Sequence, residues 1–198
     1  MKHYKWKSRA KVKKILEKKG WYKDVNEDWK FEINDKNIKI TDNPKENTTY
    51  KLGELIEHSQ LLNMYPDLSK TKVVFQQMDN IVKDGKIFHK NGRVNRFTGD
   101  IYLNNNIIND NIINDNNQLI STILHEVQHK IHAKEKFQSG TSISYGINKY
   151  QNNYGEIEAR ETATRKNMTF TDRMNNHHFT FNYDGKNENI YKKFKKVV

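Results

Sequence analysis

The feature that most constrains the fold is the segment 118–134, which reads QLISTILHEVQHKIHAK. Its apolar residues recur at the spacing of an amphipathic helix. They are Ile120, Ile123, Leu124, Val127 and Ile131. At about 100° per residue, His125 and His129 lie on the opposite face, within about 40° of each other. The segment therefore predicts a helix with one buried face. Two alternatives remain for the other face: a cleft lined by both histidines, or an ordinary solvent-exposed surface.

Residues 125–129 form the pattern H-E-x-x-H, which suits a hydrolytic zinc site. Two histidines four residues apart on a helix can bind one ion, and zinc in hydrolases usually has three protein ligands and one water. The intervening Glu126 then lies beside that water, takes its proton and passes it to the leaving amine. The pattern predicts His125 and His129 as zinc ligands and Glu126 as the catalytic base.

A third ligand has to come from another element, and the sequence offers Glu156 and Glu158. Both lie in GEIEARETATR, a segment that predicts a second helix beginning at Gly155. The two carboxylates are about 200° apart around that helix, so only one of them can face the metal. Ala159 and Ala163 share a face with Glu156, and small side chains there allow another helix to approach closely. We therefore expect Glu156 to complete the site, with Glu158 as the competing candidate.

Other polar side chains near these motifs have less defined roles. His132 follows His129 by three residues. Three histidines on one straight helix rarely converge on one ion, so we interpret His132 as a rim or supporting residue. Tyr150 and Tyr154 precede the second helix and are candidates for stabilising an oxyanion, although packing of the loop explains them as well. His58 has no ligand spacing with the rest, which predicts a surface or loop histidine.

The chain contains no cysteine, which excludes disulfides, thiol catalysis and thiolate zinc ligands. Any metal site must therefore use His, Asp or Glu. The charged N-terminal residues are not followed by an apolar run, so the sequence predicts neither a signal peptide nor a membrane span. We expect a cytoplasmic protein with no membrane partner.

Positive charge is concentrated at the N-terminus. Residues 1–23 contain ten of the 35 Lys and Arg residues but only one acidic residue, Glu17, in a chain of net charge +11. An arm of this kind can bind nucleic acid or another polyanion. It can equally be a solvated helix without a partner. Nucleic-acid binding through residues 1–23 is therefore one of two alternatives.

The remaining patterns predict an α+β chain with a small sheet built from hairpins. Apolar spacing predicts helices over 8–19 and 51–63. Strands are predicted at 29–33, 72–75, 86–89 and 100–103. The low-complexity segment 104–117, which reads NNNIINDNIINDNN, predicts a polar loop anchored by a few isoleucines.

Several stretches of the chain together resemble a known family. Residues 121–142 read STILHEVQHKIHAKEKFQSGTS, and residues 150–165 read YQNNYGEIEARETATR. They resemble the metallopeptidase-like domains of large polyvalent proteins, which phages and conjugative elements carry. The family pattern is a helix ending in L-H-E-[IV]-Q-H, then an aromatic residue with a Gly-containing turn, then Y-x-x-x-x-G-E-[IV]-E-A-R. GWYKDVNEDWKFEIND at 20–35 and KLGELIEHSQLLNMYPDLSKTKVVF at 51–75 are also similar to the family.

The resemblance implies a zincin-like α+β fold of the compact gluzincin kind. In that fold a small, mostly antiparallel sheet packs on the H-E-x-x-H helix and on a second helix that bears a glutamate. The resemblance also implies a Zn2+ ion held by His125, His129 and Glu156, with Glu126 as general base. The implied activity is that of a peptidase acting on a protein or peptide substrate inside a bacterial host cell.

Three regions follow from the extent of the resemblance: a basic arm over 1–20, a metallopeptidase domain over 21–166, and a C-terminal extension over 167–198. The chain departs from the family at His132, where Gln is usual, and at Lys136, where Gly is common. The extension matches nothing in the family pattern.

Two functions are consistent with these observations. The first is a zinc-dependent endopeptidase; zincins bind the substrate as an added strand at a sheet edge, which we predict at 100–103. The second is a catalytically silent zincin-like module that binds nucleic acid or a protein partner through the basic arm. A module without catalysis has no need of a general base, so the intact Glu126 favours the peptidase.

Overall fold

The computed structural model describes residues 19–23, 29–41, 43–83, 85–109, 117–137 and 139–176 of the chain. The chain divides into two units. The larger unit contains residues 35–167, and the other contains the described residues of 1–34 and 168–176. Nearly all of the predicted helix over 8–19 lies outside the described residues. The predicted division of the chain at residues 20 and 166 stays a prediction.

Seven α-helices lie within the described residues. They are α1 (Leu52–Leu55), α2 (Ser59–Met64), α3 (Asn106–Asn109), α4 (Asn117–Glu135), α5 (Ile147–Gln151), α6 (Tyr154–Arg165) and α7 (Phe170–Asn175). The helices predicted at 118–134 and from Gly155 are confirmed as α4 and α6. Of the helices described, none combines the length and the apolar character that a membrane crossing requires.

Ten short strands accompany these helices in the described part of the chain. They are β1 (Trp21–Lys23), β2 (Trp29–Phe31), β3 (Lys39–Ile40), β4 (Thr49–Lys51), β5 (Ile56–Glu57), β6 (Lys72–Gln76), β7 (Ile81–Lys83), β8 (Lys86–Phe88), β9 (Gly92–Val94) and β10 (Ile101–Asn104). The fold class is therefore α+β, as the sequence predicts.

A four-stranded sheet lies in the larger unit, with the strand order β4-β6-β10-β9. β10 pairs parallel with β6 and antiparallel with β9, and β4 pairs antiparallel with β6. The other strands form three antiparallel pairs, β1–β2, β3–β5 and β7–β8. The strand predicted at 100–103 is present as β10, but its assignment to the sheet edge is wrong, because β10 is paired on both sides. The edge of the sheet beside α4 is β9.

The core of the larger unit lies between this sheet and α4. Val73, Phe75, Ile101 and Leu103 alternate along β6 and β10 and are fully buried, as expected for strands with one buried face. α4 contacts β9 and β10 and buries most of the apolar face that its sequence predicts. Each aliphatic side chain that is fully buried contributes about 1.5–3 kcal/mol. This burial fixes the rotation of α4 about its axis and leaves its two motif histidines on the other side.

The single helix predicted over 51–63 is wrong. The chain forms α1 and α2 there, separated by β5, whose Ile56 pairs with Ile40 of β3. His58 lies in the connection between β5 and α2, which agrees with the prediction of a surface or loop histidine, but its side chain is buried and does not lie on the surface. Its Nε2 atom lies 2.7 Å from Oδ1 of the buried Asp35, and its Nδ1 atom accepts a backbone N–H of α2. His58 thus caps the start of α2. This cap and the pairing of β5 with β3 divide the predicted helix into α1 and α2.

The segment 104–117 is more ordered at its start than the predicted polar loop. Asn104 ends β10, and its side-chain amide donates to the carbonyl of Lys90 at 2.9 Å. α3 follows at once, and its Ile107 is buried, which agrees with the anchoring role predicted for the isoleucines. Residues 110–116 lie outside the described part of the chain.

Candidate metal centre

The candidate centre forms where α4 and α6 pack against each other. α6 begins at Tyr154, and the side chain of Asn153 caps it by accepting the backbone N–H of Glu156 at 3.2 Å. The cap fixes the first turn of α6 and therefore the direction of the Glu156 side chain. An acidic side chain in the first turn also interacts favourably with the helix dipole.

The side chains of His125, His129 and Glu156 converge at this contact. The Nε2 atoms of the two histidines lie 3.1 Å apart. The carboxylate spans both of them: Oε2 of Glu156 lies 3.5 Å from Nε2 of His125, and Oε1 lies 3.5 Å from Nε2 of His129. One ligand atom from each residue lies within 4.8 Å of the other two. These residues form the candidate metal-binding triad.

The geometry of the triad suits a shared metal ion. When zinc is bound tetrahedrally with bonds of about 2.0–2.2 Å, neighbouring ligand atoms lie about 3.3–3.6 Å apart, close to the separations in the triad. Oε2 of Glu156 is buried and has no hydrogen-bond partner among the described residues. A buried carboxylate oxygen without a partner is costly, and a cation bound by the triad would remove that cost. The donor set of two imidazoles and one carboxylate is one that divalent transition metals prefer.

The charges of the triad stabilise one another. Burial raises the pKa of Glu156, but the adjacent His125 and His129 outweigh burial and hold that pKa well below the ordinary range. Burial lowers the pKa of His129, but the Glu156 carboxylate outweighs burial and raises that pKa above 6.5. The carboxylate is therefore ionised, as a metal ligand must be, and His129 holds a proton more tightly than an ordinary histidine.

Glu126 lies on α4 between the two histidines, with its side chain against β9. It is 5% exposed, and burial raises its pKa above the ordinary range, although His125 and His129 oppose this shift. A Cβ atom at Gly92 of β9 would lie 2.8 Å from Oε1 of Glu126. A larger residue at this position would force the Glu126 carboxylate or the Thr122 side chain to shift. The predicted general base therefore lies directly beside the edge strand of the sheet.

The segment around Gly140 lies against the triad from the other side. The backbone N–H of Thr141 donates to Oε1 of Glu156 at 2.9 Å. A Cβ atom at Gly140 would overlap Oε1 of Glu156 and lie 2.5 Å from Cε1 of His129. The absence of a side chain at Gly140 thus allows the backbone to approach closely enough to hold the carboxylate.

Glu158, the competing candidate for the third ligand, lies away from the triad. Its Oε2 atom is 3.1 Å from Nε2 of His132, and both side chains are almost fully buried. The side-chain amide of Gln128 lies 3.0 Å from the same nitrogen of His132. The His132 ring also contacts the ring of His129, with centroids 5.9 Å apart. Glu158 and His132 therefore form a buried pair behind the triad, joining α4 to α6.

The two tyrosines proposed as oxyanion donors occupy different surroundings. Burial, followed by the charge of the Glu156 carboxylate, raises the pKa of Tyr150 far above its ordinary range, so its hydroxyl stays protonated near neutral pH. The guanidinium of Arg160 lies 5.5 Å from the centroid of the Tyr150 ring. Tyr154 is 3% exposed at the start of α6. The hydroxyl of Tyr150 interacts with the Glu156 carboxylate of the triad.

Two site residues have weak sequence signals. The sequence pattern predicts only a break between two strands at Gly92, although a glycine inside a strand often marks a close approach by another group. Gly140 reads only as part of a turn between the two motif helices. Neither pattern indicates which side chain makes the approach, because that depends on how α4 packs on the sheet and on α6.

Taken together, the fold and the site describe an α+β protein with a candidate His–His–Glu metal centre and an adjacent buried glutamate. No family model matches this chain, and no curated protein or solved structure matches it either.

Proposed function

We propose that this protein is a zinc-dependent peptidase with a zincin-like fold, which hydrolyses a protein or peptide substrate. The observation that carries the proposal is the convergence of His125, His129 and Glu156 from two helices, with Glu126 beside them. Three ligands of this kind leave a coordination position for water, and a neighbouring carboxylate can accept the proton of that water. The resemblance to the metallopeptidase-like domains of phages and conjugative elements points to the same chemistry.

The residues of the site have separate tasks in this reaction. Zinc, when held by the triad, supplies Lewis-acid activation of a water molecule and of the scissile carbonyl. Glu126 takes a proton from the attacking water and delivers it to the leaving amine. The buried surroundings that raise its pKa also make Glu126 a better proton acceptor than an exposed carboxylate. Tyr150, protonated near neutral pH, is our candidate hydrogen-bond donor to the oxyanion.

The substrate would bind along β9. This strand is the edge of the four-stranded sheet, and Gly92 within it lies against Glu126. An extended peptide that adds to a sheet edge gains main-chain hydrogen bonds along the strand. A peptide added to β9 would bring a backbone carbonyl past the predicted base. β9 thus replaces residues 100–103 as the proposed binding edge.

Elemental analysis of the purified protein tests the metal centre. We expect about one zinc ion per chain, and its loss in His129→Ala and in Glu156→Ala, because each variant removes one of three ligands. His89→Ala is the matched control, since His89 is exposed and lies outside the triad. A wild-type protein that takes up no metal after incubation with zinc would contradict the proposal.

Glu126→Gln distinguishes the peptidase from a silent zincin-like module. Loss of the base should reduce cleavage by about 10²–10⁴-fold, while zinc content stays at the wild-type level. A module that acts only by binding through residues 1–23 would keep its partner in this variant and lose it when those residues are deleted. Cleavage that persists unchanged in Glu126→Gln would exclude the proposed role of this residue.

A further inference from the structure

The unpaired side of β9 can be identified from its register with β10. Gly92 lies opposite Leu103, Arg93 opposite Tyr102, and Val94 opposite Ile101. The pair is closed at both ends by backbone hydrogen bonds, from the N–H of Asn104 to the carbonyl of Asn91 and from the N–H of Asn95 to the carbonyl of Asp100, each 2.8 Å long. Hydrogen bonding alternates along an antiparallel pair. The backbone groups of Gly92 and Val94 therefore face away from β10.

Three cations lie in β9 or next to it. Lys90 lies just before β9, close enough for its charge to act on the Glu126 carboxylate. Arg93 lies within β9, with its guanidinium 4.5 Å from the centroid of the Tyr102 ring. Arg96 follows β9 and donates from Nη2 to the carbonyl of Gly140 at 3.3 Å. The three residues thus extend from just before β9 to just beyond it, and the side chain of Arg96 reaches the segment beside the triad.

Among the described residues, no ion pair joins Arg93 or Arg96 to an acidic side chain, and the acidic group on which Lys90 acts is the buried Glu126. Two other cations of the described part are paired at the surface. Lys51 pairs with Glu54 at 2.9 Å, and Lys134 pairs with Asp67 at 2.9 Å. The exposed Arg93 and Arg96 therefore give this edge positive charge that no ion pair among the described residues neutralises. Such a surface attracts an acidic partner and disfavours a basic one. Charged side chains on an edge strand can also simply prevent edge-to-edge aggregation.

We propose that the peptide which pairs with β9 is acidic, and that Lys90, Arg93 and Arg96 select substrates carrying Asp or Glu on both sides of the cleaved bond. Side chains of an added strand alternate between the two faces of the sheet. Acidic residues on either face would then meet Lys90 and Arg96 near the cleft or Arg93 on the Tyr102 face. This inference rests on the proposed peptidase function, because that function places the substrate along β9.

Peptide binding to the zinc-loaded, full-length Glu126→Gln protein tests the inference without turnover. The probes are three fluorescent peptides of equal length, with Glu, Gln or Lys at alternate positions of an otherwise identical sequence. We expect the Glu peptide to bind about tenfold more tightly than the Gln peptide, and the Lys peptide more weakly than both. The preference should shrink between about 50 and 200 mM salt, because exposed charges are screened. Equal binding of the three peptides would show that the cations only protect the edge and would overturn the inference.

A triple substitution assigns the preference to the edge rather than to the basic arm. Changing Lys90, Arg93 and Arg96 to Gln should abolish most of the preference for the Glu peptide. The control changes Lys39, Lys45 and Lys86 to Gln, which removes the same charge from exposed positions outside the four-stranded sheet and should preserve the preference. A preference that survives the edge substitutions would assign it to residues 1–23 and overturn the inference. Competition by a single-stranded oligonucleotide as strong as that by the Glu peptide would do the same, since it would show binding by charge alone.

Failure of this inference can be distinguished from failure of the proposed function. Cleavage of the Glu and Gln peptides by the wild-type enzyme at equal rates would overturn the inference while supporting the peptidase. Charge-selective binding at β9 without cleavage of any peptide by the wild-type protein would support the acidic partner and contradict the peptidase.

Discussion

At the residue scale, the interaction between Glu156 and His129 makes metal binding depend on pH. A zinc ligand must be deprotonated, so zinc competes with protons for the histidines. Glu156 raises the pKa of His129 above 6.5 against the opposing effect of burial, so this competition begins at a higher pH than it would at an ordinary histidine. We expect the apparent zinc affinity to fall as pH is lowered from about 8 to 6, by up to about tenfold per pH unit for each proton displaced.

Competition with a chromophoric chelator at a series of pH values measures this dependence, once the protonation of the chelator itself is corrected for. An apparent affinity that stays constant down to pH of about 6 would contradict the raised pKa of His129. It would also indicate that the ion binds through groups other than the imidazoles.

The close approach of Gly140 to the triad gives a second residue-scale prediction. Gly140→Ala introduces a Cβ that overlaps Oε1 of Glu156, so either the carboxylate or the Thr141 backbone must move. Loss of a group that orients a metal ligand typically weakens metal binding by about 10–100-fold. Ser139→Ala is the matched control, because Ser139 is the exposed neighbour of Gly140. A chelator titration that gives the same zinc affinity for Gly140→Ala and wild type would exclude the positioning role of this segment.

At the residue scale, the sequence predicts most of the residues that form the candidate site. The H-E-x-x-H spacing and the apolar stripe place His125, Glu126 and His129 correctly on α4, because helical periodicity determines which residues share a face. The choice between Glu156 and Glu158 depends on small residues that let two helices approach. Gly92 and Gly140 are not predictable as site residues, because their contacts arise only when separate elements pack together.

At the element scale, the buried pair of His132 and Glu158 connects the two helices that carry the triad. His132→Leu keeps the volume approximately but leaves Glu158 without this partner. Loss of a hydrogen bond to a charged group costs about 1.5–3 kcal/mol, so we expect the free energy of unfolding to fall by about that amount. Zinc affinity should also fall, because α4 and α6 are then held together less firmly.

Urea denaturation of the zinc-free protein measures the first effect and chelator competition the second. Glu54→Gln, which breaks the exposed pair with Lys51, should change neither quantity appreciably. A His132→Leu protein as stable as the wild type would show that the pair is not needed to join the helices.

Secondary structure is predicted well where packing agrees with the local pattern, and poorly where it does not. The helix predicted from the apolar spacing of 118–134 is present as α4, because its apolar face packs on the sheet. The segment 51–63 has a helical stripe too, yet Ile56 pairs with Ile40 and the chain is extended there. The buried contact between His58 and Asp35 joins residues 23 positions apart, so no local pattern indicates it.

Replacing His58 tests whether its contact with Asp35 stabilises the break between α1 and α2. His58→Ala removes the cap of α2 and the partner of Asp35 at once, and we expect destabilisation of about 1.5–3 kcal/mol in urea denaturation. His89→Ala, at an exposed histidine, should leave the free energy of unfolding close to that of the wild type. Equal stability of the two variants would make the contact dispensable.

At the scale of the whole molecule, the sequence predicts the fold class but not the order of the strands in the sheet. The sequence indicates the α+β class and a candidate metal centre without cysteine, because these depend on residue types and on local spacing. It does not indicate that β10 lies inside the sheet and β9 at its edge, since strand order is decided by pairing between distant segments. The proposed substrate edge therefore moves from residues 100–103 to β9 once the pairing is known.

Zinc should stabilise the folded protein as a whole, because the triad joins α4 to α6 and exists only when both helices are packed. A ligand that binds only the native state stabilises it by about 2.7 kcal/mol at a free concentration of about 100 times its Kd. For a chain of this size, that corresponds to a rise in Tm of roughly 5–10 °C. Chelation should reverse the rise. Calorimetry of wild type and Glu156→Ala, each with and without zinc, checks this expectation. An equal rise in the Tm of Glu156→Ala would mean that zinc binds the native state through other residues. That result would contradict the assignment of the triad as the zinc site.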